Sequence, residues 1–169
     1  METLRNADIF SRIQPHEYMR RFIDQKVRPD GRLLDRFRDT SITSNVISTA
    51  NASAMVRLGN TTVVCGIKAE VSEPDLKHPD QGFLVKPFDL SRFPVSATYG
   101  YFSSALLSDP NDTEEGLAKD RITIVMDTDG DLLHVYKNGA TSLDVDVMRT
   151  CFDRTRDRLE QIKKDLSLL

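Results

Sequence analysis

The chain has 169 residues, of which 39% are hydrophobic and 29% charged, and its formal net charge at neutral pH is −3. This length and composition suit one globular domain with a real core. Because the sequence has no apolar run that could cross a bilayer and no secretory signal, we expect no membrane contact. The acidic balance excludes a cationic coat, so any contact with nucleic acid requires a local patch or neighbouring subunits.

The first predicted element is a helix over residues 15–25. Pro15 suits an early helical position, and Tyr18 lies four residues before Phe22 on one apolar face. Basic residues in and after this helix form either a phosphate-binding cluster or a solvated face, and interleaved acids favour the solvated face. These residues are Arg20, Arg21, Lys26, Arg28 and Arg32. Pro29 and Gly31 predict a turn that leads from the helix into a sheet.

The next residues predict an antiparallel sheet with strands near 41–49, 53–58 and 61–71. Period-2 alternation on both sides of Gly59 and Asn60 indicates a tight hairpin. The alternation places Val63, Cys65 and Ile67 on one apolar face, and Met55 and Val64 on the other. We therefore expect Cys65, like Cys151 further on, to be a reduced thiol in the core, and an Ile67→Asp change to unfold the domain.

The second half predicts one edge strand, one short strand, one hairpin and one long helix. The edge strand covers 83–90, the short strand 105–107, and the hairpin 122–136 turns at Asp129 and Gly130. The helix covers 142–166, with Ser142 as its N-cap. Alternating carboxylates at 127–131 fail the register of a calcium loop, and no histidine has metal-ligand spacing, so we expect no metal and no cofactor.

Two stretches together resemble the opening of the RNase PH family, especially the non-catalytic RNA exosome ring subunit numbered forty-three in yeast. They are Arg28-Pro-Asp-Gly-Arg32 and Ala52-Ser-Ala-Met-Val-Arg-Leu-Gly-Asn-Thr-Thr-Val-Val-Cys-Gly-Ile-Lys-Ala-Glu-Val71. Further on, Pro94-Val-Ser-Ala-Thr98 resembles the family's H-P-V-A-T stretch. Leu106-Leu-Ser-Asp-Pro110, with Glu114 or Glu115 downstream, resembles its L-L-x-D-P-x-x-x-E. The resemblance implies an α+β fold, RNase PH-like (ribosomal protein S5 domain 2-like), with a mixed sheet, flanking helices and one domain over 1–169.

A central block of the family is missing at a junction near 93–94, so the fold is expected to be incomplete. In active relatives this block carries the phosphate loop and the catalytic acids, and we therefore assign no catalytic residue. Arg92 matches an arginine that relatives place near the RNA path, although an exposed side chain without a role is the plainer interpretation.

The resemblance implies a non-catalytic ring subunit that scaffolds 3′–5′ RNA processing, including rRNA processing, and RNA degradation. Its partners would be other RNase PH-like exosome subunits and RNA in the assembled channel, in the nucleus (nucleolus) and cytoplasm. Two alternatives stay open. One is a phosphorolytic 3′–5′ exoribonuclease, and the other is a shortened isoform without ring function.

Overall fold

A computed structural model describes residues 9–71, 73, 76–80, 93–102 and 105–167. The chain divides into two compact units. The first unit combines the N-terminal segment up to Arg38 with residues 94–161, and the second combines 39–93 with the residues from Ile162 onward. Residues 9–13 are helical, and the further helices in the described part are α1 (Pro15–Asp24), α2 (Asp112–Leu117) and α3 (Val145–Ser167). Strands are β1 (Thr40–Ser44), β2 (Ala52–Leu58), β3 (Thr61–Ile67), β4 (Val95–Phe102), β5 (Ala105–Ser108), β6 (Asp120–Met126) and β7 (Leu132–Asn138).

The second unit contains a three-stranded antiparallel sheet in the order β1-β2-β3. Leu58 pairs with Thr61 across the two-residue turn, and Gly59 has a φ of 56°, which confirms the predicted hairpin. The first strand is shorter than predicted because Asn45, at φ 57°, leaves the extended conformation directly after Ser44.

The first unit is built on a four-stranded antiparallel sheet in the order β5-β4-β6-β7. Alternate residues of β6, Ile122, Ile124 and Met126, are buried with Tyr99 of β4 and Cys151 of α3. This alternation confirms the predicted inward face of β6. Full burial of each large apolar side chain contributes about 1.5–3 kcal/mol, so this layer stabilises the unit.

A second cluster joins α1 to the same unit. Met19 of α1 is buried with Phe102 of β4 and Leu107 of β5. The predicted helix over 15–25 and the short strand at 105–107 are both confirmed, with bounds within one residue. The first and last predicted helices therefore both have apolar faces that enter the core.

Several predicted boundaries are wrong. The long helix begins at Val145 rather than Ser142, because the backbone N–H of Thr141 donates to the carboxylate of Asp120 and holds the preceding chain outside the helix. The β6–β7 loop has five residues instead of two. Asp127 sets that length, since its Oδ1 accepts from the backbone N–H groups of Asp129 and Asp131, at 3.0 and 2.8 Å.

The α+β class is confirmed, but the strands belong to two sheets where the sequence predicted one. Strand β4 and helix α2 were missed. The predicted edge strand over 83–90 lies outside the described residues. In the described ranges, no helix is long and apolar enough to cross a membrane.

Candidate interaction site

Arg92, which matches an arginine that relatives place near the RNA path, lies outside the described residues. Within the described part of the chain, no group of three or more His, Cys, Asp or Glu side chains is placed to hold a metal ion. Two separate features are candidates for interaction: a buried cluster of arginines and carboxylates in the first unit, and an exposed hairpin in the second.

The cluster is centred on Arg28, whose side chain is completely buried. Its Nη1 lies 3.4 Å from Oε2 of Glu114, and its guanidinium also donates to the carbonyl oxygens of Leu34, at 3.0 Å, and of Ser108. Burial lowers the pKa of Arg28, and the charge of Glu114 opposes that shift. A buried guanidinium requires such partners, because an unpaired charge in the interior is strongly unfavourable.

Asp109 joins two more arginines to this cluster. Its carboxylate accepts from Nε and Nη2 of Arg38 at 2.8 and 2.7 Å, and from the backbone N–H of Arg38 at 3.0 Å. Nη1 of Arg32 lies 3.4 Å from the same carboxylate. Asp109 has a φ of 51°, a left-handed conformation that few residues except glycine, asparagine and aspartate adopt readily. We refer to Arg28, Arg32, Arg38, Asp109 and Glu114 as the arginine clamp.

Glu114 has a second role as part of a capping box. Its carboxylate accepts from the backbone N–H of Asn111 at 2.8 Å, and Oδ1 of Asn111 accepts from the backbone N–H of Glu114 at 2.9 Å. This reciprocal pair satisfies N–H groups at the start of α2. The two acids downstream of Pro110 thus have different roles: Glu114 belongs to the capping box of α2 and to the clamp, and Glu115 pairs with Arg121 at 2.8 Å.

The clamp decides between the two interpretations of the N-terminal basic residues. Arg28 and Arg32 belong to neither a phosphate-binding cluster nor a solvated face, since they are held inside the first unit by Asp109 and Glu114. Arg20 and Arg21 remain exposed on α1. The sequence indicated only the local turn: Gly31 has a φ of 84° and donates its N–H to the carbonyl of Arg28.

The hairpin of the second unit exposes apolar residues on both faces. Val63 and Ile67 are 62% and 65% exposed on one face, beside Val56, and Val64 is 49% exposed on the other. We call these four residues the hairpin surface. Apolar residues grouped on an exposed sheet are typical of an association site.

This exposure corrects the prediction that Val63, Cys65 and Ile67 form a core face. All seven residues of β3 are exposed, and Cys65 is an exposed free thiol, whereas Cys151 is buried as predicted. Alternation identifies residues that share a face, but it does not show whether another layer covers that face. Since Ile67 is exposed rather than in a core, an Ile67→Asp change should not unfold the domain.

Two family models match the chain. Domain 1 of the 3′ exoribonuclease family, RNase PH, matches residues 36–119, and domain 2 of that family matches residues 92–158. Together they cover more than half of the chain. Fold and site define an α+β protein of two antiparallel sheets with an exposed apolar hairpin. The chain belongs to the RNase PH family of 3′ exoribonucleases.

Two curated relatives illustrate the similarity. The exosome complex component rrp43 of Schizosaccharomyces pombe is 46% identical over 83 residues, which are 49% of this chain and 31% of the relative. The exosome complex component Rrp42 of Thermoplasma acidophilum is 41% identical over 107 residues, which are 63% of this chain and 38% of the relative. The matched segments thus span about a third of the length of these relatives.

Solved structures show the same fold. A chain of the Archaeoglobus fulgidus exosome with RNA bound to the active site has a TM-score of 0.66 at 19% identity, over 95% of this chain and 98% of the other. Rice (Oryza sativa) Rrp46 has a TM-score of 0.56 at 17% identity, over 80% of this chain and 96% of the other. At these identities the likeness concerns the fold alone.

Proposed function

We propose that this chain is a non-catalytic ring subunit of the RNA exosome that scaffolds 3′–5′ RNA processing and degradation. Its partners are other RNase PH-like exosome subunits, and RNA is contacted in the assembled channel. The proposal includes a location in the nucleus, with the nucleolus, and in the cytoplasm. Membership of the family and the names of the curated relatives support the assignment to the exosome.

The observation that carries the proposal is the hairpin surface. Ile67 and Val63 are each more than 60% exposed on a strand that has no charged residue and no proline. Natural proteins protect exposed strands with lysine, proline or short length, because an unprotected strand associates with other chains. A hairpin of this kind is therefore suited to a subunit that is covered by a neighbour.

The arginine clamp supports the non-catalytic part of the proposal. Phosphorolysis requires cationic or N–H groups directed at a bound phosphate and an acid near the leaving oxygen. The guanidinium groups of Arg28 and Arg38 are instead directed at Glu114 and Asp109, at 3.4 and 2.7 Å. These charges stabilise the unit and are not arranged as an open phosphate cradle.

A pull-down with purified RNase PH-like ring subunits tests the proposed scaffolding role. Ile67→Asp introduces a charge at the hairpin surface and should weaken capture about tenfold or more, as loss of a buried interface anchor does. Val145→Asp is the matched control, since Val145 is 63% exposed but lies in the first unit, at the start of α3. Both variants should keep the circular dichroism spectrum of the wild type.

Two outcomes contradict the proposal. Phosphate-dependent shortening of a 3′ RNA tail, abolished by a point change in this chain, would establish the exoribonuclease alternative. A stable monomer that captures no ring subunit would establish the shortened isoform. Sequencing the transcript across the codons for Phe93 and Pro94 tests the proposed missing block.

A further inference from the structure

A cleft of about 800 Å³ lies beside the first turn of α1 in the first unit. It is lined by residues 13–17 with Arg20, Arg21 and the edge of Phe102. This volume is in the range of small-ligand sites, about 300–1,000 Å³. Neither the arginine clamp nor the hairpin surface includes any of these residues, so the cleft is a separate feature.

One part of the cleft wall is a stacked pair of rings. The imidazole of His16 lies almost parallel to the ring of Phe102, with 6.0 Å between centroids and 22° between planes. Phe102 is only 3% exposed and packs with Met19, so it supports one face of His16 from below. His16 itself is exposed, which leaves a supported aromatic platform beside the cleft. Unpaired bases stack on such platforms, histidine included.

The cleft also has a net positive charge. Arg20 lies one helical turn after His16, and the side chains of Arg20 and Arg21 are 65% and 64% exposed. Glu17 approaches them only to 3.9 and 3.7 Å, beyond hydrogen-bond range, so it neutralises them weakly. Two arginines and one glutamate leave one positive charge even with His16 neutral. Arginine matches phosphate groups by geometry and charge.

We propose that this cleft binds a short segment of single-stranded RNA, with a base stacked on His16 and the adjacent phosphates on Arg20 and Arg21. Stacking on a ring and contact with phosphates are the two components of single-strand recognition, and both are present here. The choice of RNA among anionic ligands rests on the proposed function, whereas the cleft, the ring and the charge do not depend on it. The proposal gives this chain an RNA contact of its own.

Fluorescence anisotropy of the full chain with a labelled oligoadenylate of about ten nucleotides, at low salt, tests the proposal. Arg20→Ala should weaken binding about fivefold and reduce the slope of log affinity against log salt by about 0.7, the value for one phosphate contact to a single strand. Arg156→Ala is the matched control, because Arg156 is 64% exposed and lies 3.7 Å from Asp153 three residues earlier, as Arg20 lies near Glu17. The control should bind within about twofold of the wild type.

A second variant separates stacking from charge. His16→Ala should weaken binding of the oligoadenylate about fivefold or more and leave binding of an abasic ribose-phosphate oligomer unchanged. Equal losses for Arg20→Ala and Arg156→Ala, or no binding by the wild type, would overturn the proposal. An acidic peptide that binds more tightly than RNA and displaces it would overturn the choice of ligand.

The same variants in the pull-down with ring subunits separate this inference from the proposed function. Arg20→Ala should lose RNA and keep its protein partners. If the wild-type chain binds RNA through Arg20 but captures no ring subunit, the cleft proposal stands and the ring function fails.

Discussion

Asp109→Asn should destabilise the first unit while keeping its shape. Asparagine tolerates the left-handed φ of 51° that Asp109 adopts, so the substitution removes charge without adding backbone strain. The lost interactions are the bonds of 2.8 and 2.7 Å from the guanidinium of Arg38 to the carboxylate. Each charge-assisted bond contributes about 1.5–3 kcal/mol. Because Arg38 and Asp109 are 28% and 14% exposed, we expect a screened total of about 2–3 kcal/mol.

Urea unfolding followed by circular dichroism measures this loss, and the melting temperature should fall by about 5–10 °C for a chain of this size. Asp153→Asn is the control. Asp153 is 72% exposed and lies 3.7 Å from Arg156, so its loss should change the free energy of unfolding by less than about 0.5 kcal/mol. If Asp109→Asn changes stability no more than this control, the clamp does not stabilise the fold and the reasoning is refuted.

The dependence on pH provides a second readout. Burial alone would raise the pKa of Asp109, but the hydrogen bonds from Arg38 hold it below the ordinary value of 3.8. Since the folded-state pKa is depressed, the unfolded chain binds the proton first as the pH falls. The stabilisation is therefore complete above the ordinary pKa and is lost as the pH falls through the folded-state value. The free energy of unfolding of the Asp109→Asn variant should therefore decrease less than that of the wild type as the pH falls through this range.

Gly139→Ala should destabilise the first unit by more than about 1 kcal/mol, because Gly139 has a φ of 133° and an added Cβ would lie 2.1 Å from Oδ1 of Asp120. Gly116→Ala, in α2 with open space around it, should instead stabilise by about 0.5–1 kcal/mol, and urea unfolding that ranks the two variants the other way contradicts both expectations. Cys65 is exposed and should react with iodoacetamide near pH 8, whereas Cys151 should stay unmodified, since burial raises its pKa to about 11. Mass spectrometry that finds equal labelling of both thiols in the folded chain would contradict this prediction.

Local chemistry explains which elements were predictable. The Gly59–Asn60 hairpin was predicted correctly because a two-residue turn depends on residues that are adjacent in the sequence. The same holds for α1, whose Pro15 and apolar spacing are read directly from ten residues. Boundaries were wrong where a side chain from elsewhere decides them, as Asp120 does for the residues before α3.

The clamp was not predictable by such reasoning. Arg28 and Glu114 are 86 positions apart, and neither the turn around Gly31 nor the capping box at Asn111 indicates that the two would meet. The error at Ile67 has another cause. The period of a strand defines two faces, and only the rest of the assembled protein decides which of them is covered.

The clamp also determines how far the first unit tolerates changes in the length of the connection between its two segments. Its members lie on both sides of residues 39–93, since Arg28, Arg32 and Arg38 precede that stretch and Asp109 and Glu114 follow it. The whole β1-β2-β3 sheet is therefore an insertion in the sequence of the first unit, between two segments that contact each other directly. Doubling the length of such a connection costs only about 0.6 kcal/mol in closure entropy. Lengthening or shortening the stretch before Pro94 should therefore leave the clamp able to close.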